Sequence, residues 1–133
     1  MFDSELLEAA RTVRNHAYAP YSGYKVGAAI RDGQGRVFVG CNVENISYGG
    51  TICAERHAIG AMVAAGGTSM TALAVATLDG GAPCGLCLQS IAEFAASDLP
   101  IALVDQAGEV VTGILGEFLP RSFASHAVAR APE

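Results

Sequence analysis

The stretch NVENISYGGTICAERHAI, residues 42–59, runs out of an apolar strand and into a helix. From Thr51 or Ile52 to Ala65 the residues keep helical spacing, and Gly66-Gly67 supplies the stop. Cys53, Glu55 and Arg56 are an odd group to find among the small apolar residues of a helix that reads as buried. A second cluster, Pro83-Cys84-Gly85-Leu86-Cys87, opens another helical segment that runs to about Ala95. Both cysteine groups therefore fall where a loop enters a helix after a strand.

Working outward, Asp3 or Ser4 can cap a first helix whose Leu6, Leu7, Ala10, Val13 and Ala17 share one face and which must end before Pro20. The runs KVGAAI (25–30) and VFVGCNV (37–43) flank Asp32-Gly33-Gln34-Gly35 and predict a hairpin. ALAVATL (72–78) is short and apolar throughout, as suits a sheet covered on both faces. IALVD (101–105) and EVVTGI (109–114) are separated by a turn at Gln106-Ala107-Gly108. The order α-β-β-α-β-α-β-β predicts an α/β fold, a mixed sheet with helices packed on it, in a single domain spanning residues 1–133. The tail from about residue 124 is expected to hold a short helix and then fray.

Bulk properties exclude several classes of function. The 133 residues are 51% hydrophobic and only 16% charged, which argues a well-buried core and a surface partly covered by other subunits. Net charge is −5 and Lys and Arg form no cluster, so the electrostatic footprint of a protein that binds long nucleic acid is missing. The N-terminus lacks the basic start and apolar core of a signal peptide, and no apolar run reaches bilayer length, so the expected location is cytoplasmic, away from any membrane. In that reducing compartment the four cysteines are expected as metal ligands, catalytic groups or small buried hydrophobes.

A helix N-terminus presents free amide protons and a partial positive charge, which stabilise a thiolate. Cys84 and Cys87, three apart in one turn, can grip one ion, and Cys53 from the other helix would complete three sulfurs around a tetrahedral zinc whose fourth position stays open to water. Zinc lowers the pKa of bound water to about 7. Glu55, two residues from a ligand, is placed to move that proton without binding the metal. Arg56 falls on a neighbouring helical position, where its guanidinium can offset the negative charge of three thiolates on one dication.

Cys-x-Glu followed by Pro-Cys-x-x-Cys is similar to the signature of zinc deaminases, with cysteine in the place of histidine. With YSGYKVGAAI, GCNVENISYGGTICAERHAI and PCGLCLQSIAEF in order, the chain resembles the small homotetrameric cytidine deaminases from about Leu6 to Phe123. The resemblance implies a three-layer α-β-α fold around a five-stranded sheet. It also implies zinc-dependent hydrolysis of cytidine and deoxycytidine to the uridines with loss of ammonia, a step in pyrimidine salvage. It makes Cys53, Cys84 and Cys87 the ligands of one zinc per chain and Glu55 the proton shuttle. Asn42 and Glu44 match the pair that binds ribose, and two residues apart on a strand they would point to one side. The backbone amide of Ala54 corresponds to a contact with the pyrimidine oxygen, Tyr24 to a stacking aromatic, and Phe123 to an aromatic that caps a neighbour's site, so the homotetramer would share its active sites.

The chain departs from that pattern at Leu88, where the family usually has arginine, at Tyr24, where it has phenylalanine, and at Gly50, often a larger apolar residue. These departures keep open a modified cytosine nucleoside, related to blasticidin S, as the substrate. Taken alone, Cys84 and Cys87 also fit a redox pair or a structural zinc. Cys41 could join the other three cysteines in a non-catalytic zinc module, although in an apolar strand it reads as a small buried hydrophobe. His57 shares a helical face with Cys53 but lies one turn deeper.

Overall fold

A computed structural model describes residues 1–123. Helix α1 (Ser4–Arg14) is followed by the hairpin β1 (Gly27–Asp32) and β2 (Val37–Cys41), then α2 (Ala54–Ala64), β3 (Met70–Ala76), α3 (Gly85–Ala92), β4 (Pro100–Val104), β5 (Val110–Ile114) and a four-residue helix α4 (Leu115–Phe118). A 3-10 turn at Tyr48–Gly50 precedes α2. The expected tail helix falls outside the described residues.

The five strands form one sheet in the order β2-β1-β3-β4-β5. All neighbours are antiparallel except β3 and β4. Parallel strands need a crossover connection, and α3 supplies it. Alternation along the central strands sorts side chains into two layers. Ala28, Ile30, Leu73, Val75, Ile101 and Leu103 face α2 and α3, where Ala54, Ala58, Ile59, Met62, Leu88 and Ile91 complete one cluster. Ala29, Ala74, Ala76 and Val104 face the other way, against Leu6 and Ala10 of α1. The result is the three-layer α-β-α arrangement around a mixed five-stranded sheet.

Asp3 caps α1, its carboxylate accepting from the Leu6 N–H at 3.1 Å. This helix ends at Arg14, one turn sooner than the apolar spacing suggests, because the chain turns at Asn15–Ala17 to bring Tyr18 into a bridge with Val43. The expectation that Asn42 and Glu44 lie on a strand is corrected: β2 stops at Cys41, and residues 42–44 run extended through isolated bridges to Tyr18 and Ile52.

Helix α2 lies close on β2 at Gly40. A Cβ there would meet the Ala54 carbonyl oxygen and the Ala58 nitrogen, each at 2.5 Å. That close approach sets how the helix start, and the residues it carries, sit against the sheet.

Candidate active site

Cys53 and Cys84 are the N-cap residues of α2 and α3, both with extended backbone, and neither side chain caps its own helix. Cys87 sits within the first turn of α3 and is fully buried. Because both helices pack on one face of the sheet, their N-termini converge, and the sulfurs of Cys53, Cys84 and Cys87 lie within 4.8 Å of one another. Cys41 is not part of that group; its carbonyl accepts from His57 Nδ1 at 2.8 Å, and His57 is not part of the group either.

The charge distribution favours a cation at the cluster. Cys53 is pulled down to about 5, first by the Cys87 thiol hydrogen-bonded to it and then, against burial, by Arg56 and Cys84. Cys87 is pushed above its ordinary value by that same hydrogen bond, by burial and by the Glu55 charge. Arg56 Nη2 stands 3.9 Å from Cys53 Sγ and 3.4 Å from the Thr51 carbonyl oxygen, while its Nε is buried with no acceptor among the described residues. A guanidinium held against packed sulfurs suits a trio of soft thiolates on a dication, and such donors select zinc over hard cations.

Glu55, the second residue of α2, is only 4% exposed. Burial pushes its carboxyl up to about 7; the Cys53 charge adds to this, against the pull of Glu55's own N–H and of Arg56. A carboxyl at that value can hold or release a proton at neutral pH. It faces a cavity of about 310 Å³ lined by Tyr24, Asn42, Glu44, Cys53, Ala54 and Cys84, among others. The volume lies in the range of small-molecule sites, about 300–1,000 Å³.

Asn42 and Glu44 both line the cavity, and both also organise its wall. Asn42 Oδ1 accepts from the Val26 N–H at 2.9 Å and its Nδ2 donates to the Tyr24 carbonyl at 2.8 Å. Glu44 Oε1 accepts from the N–H groups of Tyr21 and Ser22 at 2.9 and 3.1 Å, and Oε2 takes the Ser22 hydroxyl. The Ser22 hydroxyl is the main reason the Glu44 carboxyl sits below its ordinary value. Ala54 contributes the first N–H of α2, which has no acceptor within the helix by position. Phe123 lies elsewhere: it is 66% exposed, its carbonyl accepts from Gln89 Nε2 at 2.8 Å, and it does not line its own chain's cavity. Gly50 is likewise outside the lining, whereas Leu88 is buried in the core.

The model of the cytidine and deoxycytidylate deaminase zinc-binding region matches residues 1–103. The chain belongs to this deaminase family. A cytidine deaminase of Sporosarcina psychrophila is 37% identical over 131 residues, 97% of this chain and 96% of its own. One from Mycobacterium tuberculosis (strain H37Rv) is 44% identical over 109 residues, 80% of this chain and 78% of its own. The crystal structure of a Burkholderia pseudomallei cytidine deaminase superposes with a TM-score of 0.87 at 43% identity, covering 92% of this chain and all of that one. The cofactor is zinc, since the matched region is a zinc-binding one and the three-cysteine cluster is able to hold the ion.

Within this deaminase, sequence reasoning missed Ser22, Thr77 and Asp79. The Tyr24 hydroxyl donates to Asp79 Oδ1 at 2.6 Å, and Thr77 and Ser22 line the cavity. The clue available for Asp79 was its place in the turn Leu78-Asp79-Gly80-Gly81 just before Pro83-Cys84.

Proposed function

We propose that this chain hydrolyses the C4 amino group of cytidine and deoxycytidine, giving uridine or deoxyuridine and ammonia. The observation that carries the reading is the meeting of two helix starts: three sulfurs within 4.8 Å of one another, next to a buried Glu55 on the wall of one cavity. When bound, zinc would supply a water whose pKa is lowered to about 7. Glu55 takes one proton from water and gives it to N3 as the water oxygen bonds to C4, then passes the other proton of that water to the amine as the C4–N bond breaks, so that one water is consumed for each ammonia released.

Other side chains orient the nucleoside. The Ala54 N–H, at the positive end of α2, receives the pyrimidine carbonyl. Asn42 and Glu44 face the ribose hydroxyls, to which an amide and a carboxylate are suited. Tyr24 lies against the base. Phe123, exposed and outside its own cavity, is assigned to a neighbouring copy's site in a homotetramer. The reading takes residues 1–133 as one catalytic domain acting in cytoplasmic pyrimidine salvage. No helix among the described residues is long and apolar enough to cross a membrane.

The test is a panel of cytidine, deoxycytidine and base- or sugar-modified analogues, run on protein of verified zinc content. Turnover of plain nucleosides with ammonia release supports the proposal. Inertness toward them with turnover of a modified cytosine nucleoside would replace it with the blasticidin-type reading.

A further inference from the structure

Tyr24 is anchored at three points. Its N–H donates to Ser22 Oγ at 3.0 Å, its carbonyl accepts from Asn42 Nδ2 at 2.8 Å, and its hydroxyl donates to Asp79 Oδ1 at 2.6 Å. The first two anchors lie within the segment organised by Asn42 and Glu44. The third crosses to a different wall, the loop from Thr77 to Pro83 that delivers Cys84 to the metal cluster. That loop is pinned at its own base. The N–H groups of Gly80 and Gly81 donate to Thr77 Oγ1 at 2.7 and 3.0 Å, and the Gly81 N–H also reaches Asp79 Oδ1 at 3.1 Å.

Gly81 completes the arrangement by its lack of a side chain. A Cβ there would lie 2.7 Å from Tyr24 Oη and 3.2 Å from Asp79 Oδ1, so the hydroxyl would have to shift from its present place beside the carboxylate. Glycine at this position is what lets the hydroxyl reach the carboxylate.

We infer that Asp79 is a positioning residue: by holding the Tyr24 hydroxyl it clasps two walls of the cavity together and fixes the ring against which the cytosine base lies. The inference rests on the cytosine-nucleoside reading above. A phenylalanine at position 24 could stack but could not cross to the facing loop, so the tyrosine hydroxyl and Asp79 act as one device. Asp79 touches neither the sulfurs nor Glu55, so its effect falls on binding rather than on proton transfer. A ring left free to swing costs the ground state and the transition state alike, which raises KM and leaves kcat nearly unchanged.

The experiment compares Asp79→Ala, Asp79→Asn, Tyr24→Phe and the double variant Tyr24→Phe/Asp79→Ala. Loss of the clasp should raise KM for cytidine about fivefold, the size of one typical intramolecular hydrogen bond, in each of Asp79→Ala and Tyr24→Phe. The double variant should be no worse than either single one, because both remove the same contact. Asp79→Asn keeps an acceptor oxygen and should restore a near-normal KM. Additive effects in the double variant, or Asp79→Asn as impaired as Asp79→Ala, would overturn the inference.

A second readout separates this inference from the functional reading. The Tyr24 phenol is held above its ordinary value by burial and then by Asp79, with Thr77 and the Arg14 charge opposing. Spectrophotometric titration, with Tyr24→Phe as the blank, should show the phenol ionising at lower pH in Asp79→Ala. If the wild-type protein leaves cytidine intact, the functional reading fails while this titration still decides the clasp. An unchanged titration in Asp79→Ala sinks it.

Discussion

Arg56 Nη2 lies 3.9 Å from Cys53 Sγ, and the same nitrogen is 3.4 Å from the Thr51 carbonyl oxygen. The guanidinium is thus tied to the chain just before the metal helix and leans on the sulfur at its start. Three thiolates on one dication carry a net charge of −1, and Leu88, buried in the core, supplies no second cation. Replacing Arg56 with glutamine should therefore weaken zinc binding about 10- to 100-fold. Competition against a chelator, followed by metal analysis, reads this directly, and zinc retention equal to wild type would refute the role.

Glu55 presents a different dependence, because its carboxylate faces the cavity rather than joining the sulfur cluster. Glutamine matches its shape but cannot carry a proton between two atoms. Glu55→Gln should retain one zinc per chain and lose about 10²- to 10⁴-fold in kcat. Zinc content and turnover are measured on the same preparation. Substantial activity in the zinc-loaded variant would remove Glu55 from the proton path.

Much of this site is legible in the sequence because its decisive residues are neighbours in the chain. Cys53, Glu55 and Arg56 fall within one helical turn, as do Cys84 and Cys87, so local spacing alone places them at two helix starts. The sheet was readable for the same reason, from short apolar runs bounded by turn-forming residues. Short elements were not: the 3-10 turn at Tyr48–Gly50 and α4 are too brief to show any period. The strand expected under Asn42 and Glu44 ended early, since an apolar run does not reveal where hydrogen-bonded pairing stops. Tyr24 and Asp79 are 55 positions apart, and a contact made only by folding leaves no local mark.

A pH effect on stability centres on Asp32, which ends β1 with a side chain only 1% exposed. Burial alone raises its pKa, but the Arg36 guanidinium, 2.8 Å away, and the N–H groups of Arg36 and Gln34 outweigh it and hold the carboxyl below the ordinary value. A carboxyl depressed by folding stabilises the native state above the unfolded pKa, about 3.9, and that stabilisation is lost as pH falls through the folded value. Asp32→Asn should be less stable than wild type at neutral pH, with the gap closing below about pH 4. Denaturant titrations at several pH values test this; a gap that widens in acid would contradict it.

The placement of the whole site depends on how closely α2 approaches the sheet, and Gly40 is the point of closest passage. A methyl group there meets two backbone atoms of α2, the Ala54 carbonyl oxygen and the Ala58 nitrogen, each at 2.5 Å. His57 Cβ, at 2.8 Å, blocks the space beside them. Backbone cannot rotate aside as a side chain can, so the helix must move outward as a body. Gly40→Ala should cost about 3 kcal/mol of stability through overpacking. The same movement carries Cys53 and Glu55 away from Cys84 and Cys87, which ride on a different helix. Zinc affinity and kcat should therefore fall together in protein that is still folded, as judged by its melting transition. Gly60→Ala is the control, on the same helix with open space where its Cβ would go. It should leave both quantities near wild type, and equal losses in the two variants would show that the damage comes from the helix itself rather than from its contact with β2.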